Sequence, residues 1–326
     1  MRYTFQHQIA TGRSTFPVAV LISLALWIFP FENKTELLSL LAGGLTTYLL
    51  IEMNTSFALI RTRTELPSAL FLCLYSSLLF LHPYQHTCWI QLLFMGTLLG
   101  LFSSYESKNA PIHIFHAFLC LGISTLLVNN LVWTIPFLFC SMAILRSVNP
   151  RIFFAALLGL IIPYWMLLGY ELAMNFSREQ VIEGFGITSL IHNYFNDVIP
   201  IGFSWEGFKD EYMNIGLVKG VSYGITLFIS LVGSALSIRN SYSDKVRTRC
   251  FIGALVPLEI GIVLLTLLKP SLIDAFLPIQ AIFATLTCSY VFALVFTRFV
   301  CYFLVTVLGL IGGIMLLNLW TLYFNF

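Results

Sequence analysis

Glu259 stands nine residues from either end of an apolar run over 250–268. An ionised carboxylate at the centre of a membrane-spanning helix costs about 3 kcal/mol or more unless it is paired or hydrated. Pro257 precedes it by two residues, and a proline lacks the N–H that would bond the carbonyl four residues back, here that of Gly253. A bent helix with a free carbonyl beside a carboxyl group suits an ion, a proton or a polar ligand. The plainer alternative is a protonated glutamate bonded to a neighbouring helix.

A second set of charges gathers at the ends of other apolar runs. Glu171 closes the run over 152–173, Lys219 lies about one turn inside the run over 214–238, and Lys269 and Asp274 flank the turn that follows 250–268. Together with Arg178 and His192 from the polar stretch between, they suit a cavity for an anionic lipid headgroup, with Arg178 and His192 as the candidate catalytic pair. The alternative is ordinary charged side chains reaching from helix ends to the membrane surface. Glu52 and Asn54 lie close in sequence to Arg61 and Arg63, where a surface salt bridge is expected.

Metal and cofactor chemistry find little to work with. His82 and His86 are separated by Pro83, which disfavours one helical face, and His113 with His116 supplies two ligands where a metal site needs more. The seven cysteines form no C-x-x-C and read as small buried apolar residues. No glycine-rich nucleotide loop, H-E-x-x-H or G-x-S-x-G occurs. Neither a metal nor a cofactor is therefore expected.

The elements that must position these residues are membrane helices. Of the 326 residues, 58% are hydrophobic and 10% charged, against about 25% charged in a soluble domain. A spanning helix needs about 20 mostly apolar residues. Eleven runs qualify as candidates: 16–31, 37–59, 66–82, 88–104, 111–128, 131–146, 152–173, 214–238, 250–268, 271–296 and 299–324. The fifth and sixth are the weakest pair, divided at Val128-Asn129-Asn130. No polar block is long enough for a separate soluble domain, so the reading is one all-α membrane domain over 1–326. The first run follows Arg2 and Arg13 but lacks a small-residue cleavage site after it, so it reads as a retained helix.

Charge orients this layout. With 1–15 in the cytoplasm, twelve of the 17 basic residues fall inside, including the cluster Arg239, Lys245, Arg247 and Arg249. Lys34, Arg178, Lys219, Lys269 and Lys209 fall outside. The excess of inner Lys and Arg is what cytoplasmic loops carry. The C-terminus is then outside. The net charge of +2 is spread over helix ends, which points to the lipid bilayer as the partner and to no nucleic acid.

The longest loop, 174–213, is then extracytoplasmic. Ser177 with Gln180 reads as a capping box. Ile187, Leu190, Ile191, Tyr194, Phe195 and Val198 repeat on one helical face, which predicts a short amphipathic helix in the outer interface. Trp205, Phe208 and Tyr212 follow as an aromatic anchor. Gly216, Gly220 and Gly224 open the next span as overlapping G-x-x-x-G steps, a pattern that lets a second helix approach closely.

Three stretches resemble a family of uncharacterised polytopic inner-membrane proteins of Bacteroidota. They are Arg63-Thr-Glu-Leu-Pro67, Ile114-Phe115-His116, and Ala143-Ile-Leu-Arg-Ser-Val-Asn-Pro-Arg151 through Gly159-Leu-Ile-Ile-Pro163-Tyr164. The resemblance covers the first half of the chain and implies a multi-pass protein of the bacterial inner membrane. The overall shape is also similar to membrane glycan polymerases and ligases, whose structured outer loop carries functional Arg and His. That likeness implies handling of a polyprenyl-phosphate-linked glycan at the outer leaflet by Arg178 and His192. Two further expectations stand beside it: a non-catalytic membrane subunit of a larger envelope complex, and an ion- or proton-coupled transporter built on Glu259.

Overall fold

A computed structural model describes residues 2–28, 34–62, 64–175, 211–213 and 215–324. Twelve α-helices are formed among the described residues, and no strand. They are α1 (Arg2–Thr11), α2 (Thr15–Ile28), α3 (Glu36–Phe57), α4 (Leu66–Ser77), α5 (Cys88–Ser103), α6 (Ala110–Leu127), α7 (Ile135–Ile144), α8 (Pro150–Asn175), α9 (Leu217–Ser241), α10 (Val246–Leu268), α11 (Ile273–Leu294) and α12 (Arg298–Phe324). Each of the eleven apolar runs carries one of the helices α2 to α12. Seven of these are long and apolar enough to cross a membrane: α3, α6 and α8 to α12.

Of the other four, α4 and α7 are shorter than their runs, for visible reasons. The run over 66–82 is helical only to Ser77, because side chains take the carbonyls at its end. Ser77 donates to the Leu74 carbonyl (2.7 Å), and a His82 ring nitrogen lies 3.2 Å from that of Ser76. A 3-10 turn, Leu79–Leu81, follows. The run over 131–146 opens as a 3-10 segment, Asn129–Thr134, and becomes α-helical only at α7, which has Pro136 in its first turn. Proline fits that position because no N–H is needed there.

Contacts sort the helix ends into two sets. At one end Phe57, Phe102, Tyr105 and Phe251 stack together, joining the ends of α3 and α5 to the start of α10. Arg61 reaches Asp244 there, beyond the end of α9. At the opposite end Tyr212 donates to the Leu267 carbonyl (2.6 Å), and Lys219 sits 5.4 Å over the Phe80 ring. Helices α9 and α11 therefore run parallel, and α10, which connects them in sequence, runs antiparallel to both.

Helix α11 is the axis of the molecule. Of its membrane-length window 94% is buried, against 22% for α8. A helix apolar all round is buried all round, and here it carries Gln280, Thr285, Thr287 and Ser289 inward as well. The polar helix α1 closes one of its ends. Gln6, fully buried, donates from Nε2 to the carbonyls of Phe292 and Val295 (2.8 Å each). These are orphan acceptors at a helix C-terminus. The stretch 1–15, expected only as a cytoplasmic segment, thus contains a packed helix.

Glycines set the closest helix approaches, at positions other than those expected. A Cβ on Gly159 of α8 would run into the carbonyl oxygen of Phe115 on α6, and one on Gly122 of α6 would lie 2.9 Å from the Leu160 carbonyl oxygen. Gly100 of α5 meets Ala117 in the same way, at 2.8 Å. Gly216 and Gly224, by contrast, have nothing within 4 Å, and Gly220 meets only Ile215 at 3.7 Å. Among the described residues the G-x-x-x-G face of α9 packs on no other helix. Gly224→Leu is accordingly expected to leave the thermal midpoint in detergent unchanged within about 1 °C, because surface changes away from packed features stay within roughly 0.5 kcal/mol. A fall of several degrees would mean that this face packs inside the monomer.

Candidate functional site

Three helices converge on Glu259. It sits on the face of α10 turned toward α9 and α11, and 2% of it is exposed. Ser230 donates to one carboxyl oxygen, Oε1, and Ser234, one turn along α9, donates to the other, Oε2. Gln280 of α11 donates from Nε2 to the Ser230 oxygen (2.8 Å). Ser230 and Gln280 are both fully buried. Residues four apart on a helix share a face, which is how Ser230 and Ser234 straddle one carboxyl group. The α9–α11 approach beside them is tight. A Cβ on Gly233 would lie 2.7 Å from Cys288 Sγ and 2.8 Å from Thr287 Oγ1.

Pro257 lies inside α10, which continues through it. The carbonyl next to its missing bond, that of Ala254, accepts the Ser141 hydroxyl from α7 (2.7 Å). The carbonyl that Pro257 leaves without its helical donor is that of Gly253, and the serine bonds the one beside it.

Arranged this way, the site holds a carboxyl group with two hydroxyl donors and, among the described residues, no basic side chain bonded to it. Such a group can take up and release one proton. Protonation makes the group neutral. Deprotonation leaves a charge that the two serine hydroxyls and the Gln280 amide, through Ser230, stabilise as hydrogen-bond donors. Donor hydrogens aimed at both carboxyl oxygens favour a proton over a metal cation, which needs oxygen lone pairs facing it. Among the described residues no three His, Cys, Asp or Glu side chains form a group that could hold a metal. All seven cysteines are free thiols.

The charges expected to line an outer cavity are only partly brought together. Lys219 and Asp274 form an ion pair at 2.7 Å, linking the starts of α9 and α11, so each compensates the other. Lys269 caps the end of α10 next to them. Arg178 and His192, the capping pair at 177 and 180, the amphipathic segment and Trp205 with Phe208 lie outside the described residues, as does the side chain of Glu171. Glu52 does not pair with Arg61. It accepts the Ser56 hydroxyl one turn on (2.6 Å), while Arg61 reaches across to Asp244. Asn54 donates instead to the Thr64 carbonyl (2.8 Å), and Thr64 to that of Ala10, which ties α3, α4 and α1 together.

The partners of Glu259 did leave a trace in the sequence. Ser222, Thr226, Ser230, Ser234, Ser237 and Ser241 recur at steps of three and four, and all are buried. A hydroxyl stripe of that period on an apolar helix marks a face turned away from lipid. The glutamine on α11 carries no such pattern. No known protein family, no curated protein and no solved structure matches the chain.

Proposed function

We propose that the protein is a proton-coupled carrier in which Glu259 is the proton-binding group. The single observation that carries this reading is the buried carboxyl group between Ser230, Ser234 and Gln280, at the crossing of α9, α10 and α11, with no basic partner bonded to it among the described residues. Ionisable residues inside membrane helices are costly and are retained along ion and proton paths. The carrier sits in the bacterial inner membrane with eleven spans, its N-terminus in the cytoplasm and its C-terminus outside. In support, the end that gathers Arg61, Asp244, Arg247 and Tyr105 is the one rich in basic residues, as cytoplasmic faces are.

The test uses proteoliposomes loaded with a pH-sensitive dye. A panel of sugars, amino acids and organic anions is added outside. At least one is expected to drive a proton flux with the wild-type protein and none with Glu259→Gln. A solute flux that is equally fast and equally pH-dependent in the variant would overturn the reading.

One observation favours a second reading, that of a membrane subunit in an envelope complex: the face of α9 at Gly216, Gly220 and Gly224, which no described residue of another helix covers. The third, handling of a polyprenyl-phosphate-linked glycan at the outer leaflet, rests on Arg178 and His192. It gains nothing from the ion-paired Lys219.

A further inference from the structure

The hydroxyl stripe continues past Glu259 toward the basic end of the molecule. From Ser230 it passes Ser234, Ser237 and Ser241, a distance of about 16 Å along the helix axis, to Asp244 in the turn beyond the helix, at steps of four, three, four and three residues. Ser237 and Ser241 are 0% and 4% exposed. Each spends its hydrogen on a carbonyl of its own helix, Ser237 on that of Ser234 (2.9 Å) and Ser241 on that of Ile238 (2.8 Å), which leaves lone pairs free to accept. A second observation points to a further bonded group at the start of this line. At the Glu259 end of this line, the side-chain oxygen of Gln280, whose amide nitrogen bonds Ser230, is buried without a partner among the described residues. Buried polar groups are bonded, and where protein supplies no partner, water does.

Asp244 closes this line. Its Oδ1 pairs with Arg61 Nη2 at 2.7 Å and its Oδ2 accepts the Tyr290 hydroxyl at 2.5 Å. Arg61 also donates to the Ser243 carbonyl (3.4 Å). The Asp244 side chain is 6% exposed and that of Arg61 is 48% exposed, so the pair spans from interior to surface. Three parts of the chain meet there: the α3–α4 connection, the α9–α10 turn and the end of α11. The opposite end of the α9–α11 pair is tied by Lys219 and Asp274.

We propose that the α9 hydroxyl stripe is the path by which protons pass between Glu259 and the basic face, and that Arg61, Asp244 and Tyr290 form the gate at its mouth. With the pair made, Arg61 covers Asp244 and the stripe is shut off from water. With it broken, Asp244 faces solvent and passes protons inward through water held by Ser241 and Ser237. This proposal rests on the carrier reading. Its test does not need a transported solute.

Ser237→Cys is introduced alone, with Arg61→Gln, and with Asp244→Asn, and labelled in membrane vesicles with a membrane-impermeant charged thiol reagent. Labelling is read peptide by peptide by mass spectrometry, so that native thiols do not interfere. Ser237→Cys alone should label slowly, and either gate variant should accelerate it at least tenfold. The swap Arg61→Asp with Asp244→Arg should restore slow labelling, which separates gating from a general loosening of the fold. Equal rates in all four proteins, or fast labelling retained in the swap, would overturn the gate. If labelling responds as expected while Glu259→Gln keeps its proton coupling, the gate stands and the carrier reading falls. If Glu259→Gln loses coupling while labelling never responds, the reverse holds.

Discussion

Replacing Glu259 with Gln is expected to lower proton-coupled flux at least a hundredfold while leaving the protein folded. Glutamine keeps the size of the side chain and can still accept from Ser230 through its amide oxygen. It cannot bind or release a proton. The amide NH2 would face Ser234, whose hydroxyl can turn and accept. The fold should therefore lose about 1 kcal/mol or less, because a hydrogen bond is rearranged and no buried partner is orphaned. Size-exclusion profile and thermal midpoint in detergent check the fold, and the dye-loaded proteoliposomes check the flux. Glu259→Ala makes the contrast. It leaves the Ser230 and Ser234 hydroxyls unpaired beside a void, so stability should fall by about 2–4 kcal/mol.

A large effect on stability is also expected at Gly159, far from the Glu259 site. The Cβ of Gly159→Ala would meet the Phe115 carbonyl oxygen and lie 3.1 Å from the Leu119 nitrogen, both backbone atoms of α6. Backbone cannot rotate out of the way as a side chain can. The helices would have to separate along the α6–α8 contact, where Gly122 packs on Leu160 and the Tyr164 hydroxyl donates to Thr125 (2.7 Å). Overpacking of a tight interior costs about 1–3 kcal/mol, and a backbone clash falls at the upper end. The thermal midpoint in detergent should drop well beyond that of Gly224→Leu, whose position has nothing within 4 Å. Equal midpoints would mean that α6 and α8 do not pack as described.

These two residues mark what was legible in the sequence. Hydropathy located the helices, because each apolar run needs hydrogen-bonded backbone in lipid. It did not tell which of them is the axis. Helix α11 and the peripheral α8 are both apolar, since lipid and protein interior ask for the same side chains. Only the buried Gln280, Thr285, Thr287 and Ser289 distinguish α11. Glu259 stood out because a central carboxyl group is costly. Its partners were legible in the period of the α9 serines, but Gln280 was not, since which helix lies beside α10 is a matter of tertiary packing. The glycine signal misled in the same way. The repeat at Gly216, Gly220 and Gly224 is conspicuous and, among the described residues, unpacked, while the close contacts are made by Gly100, in a single G-x-x-x-G step with Gly96, and by Gly122 and Gly159, which lie in none. The Arg61–Asp244 pair joins positions far apart in the chain, beyond the reach of any local spacing.

Infrared difference spectra of the reconstituted protein across a pH series test the central claim most directly, because they read the proton on a carboxyl group without any solute. The account predicts a carboxylic acid band that grows as pH falls, shifts on exchange into heavy water and disappears in Glu259→Gln. It also predicts that the band moves in frequency when Ser230 and Ser234 are both replaced by Ala. A band that persists unchanged in Glu259→Gln, or spectra in which Glu259 never exchanges its proton at any pH, would contradict it.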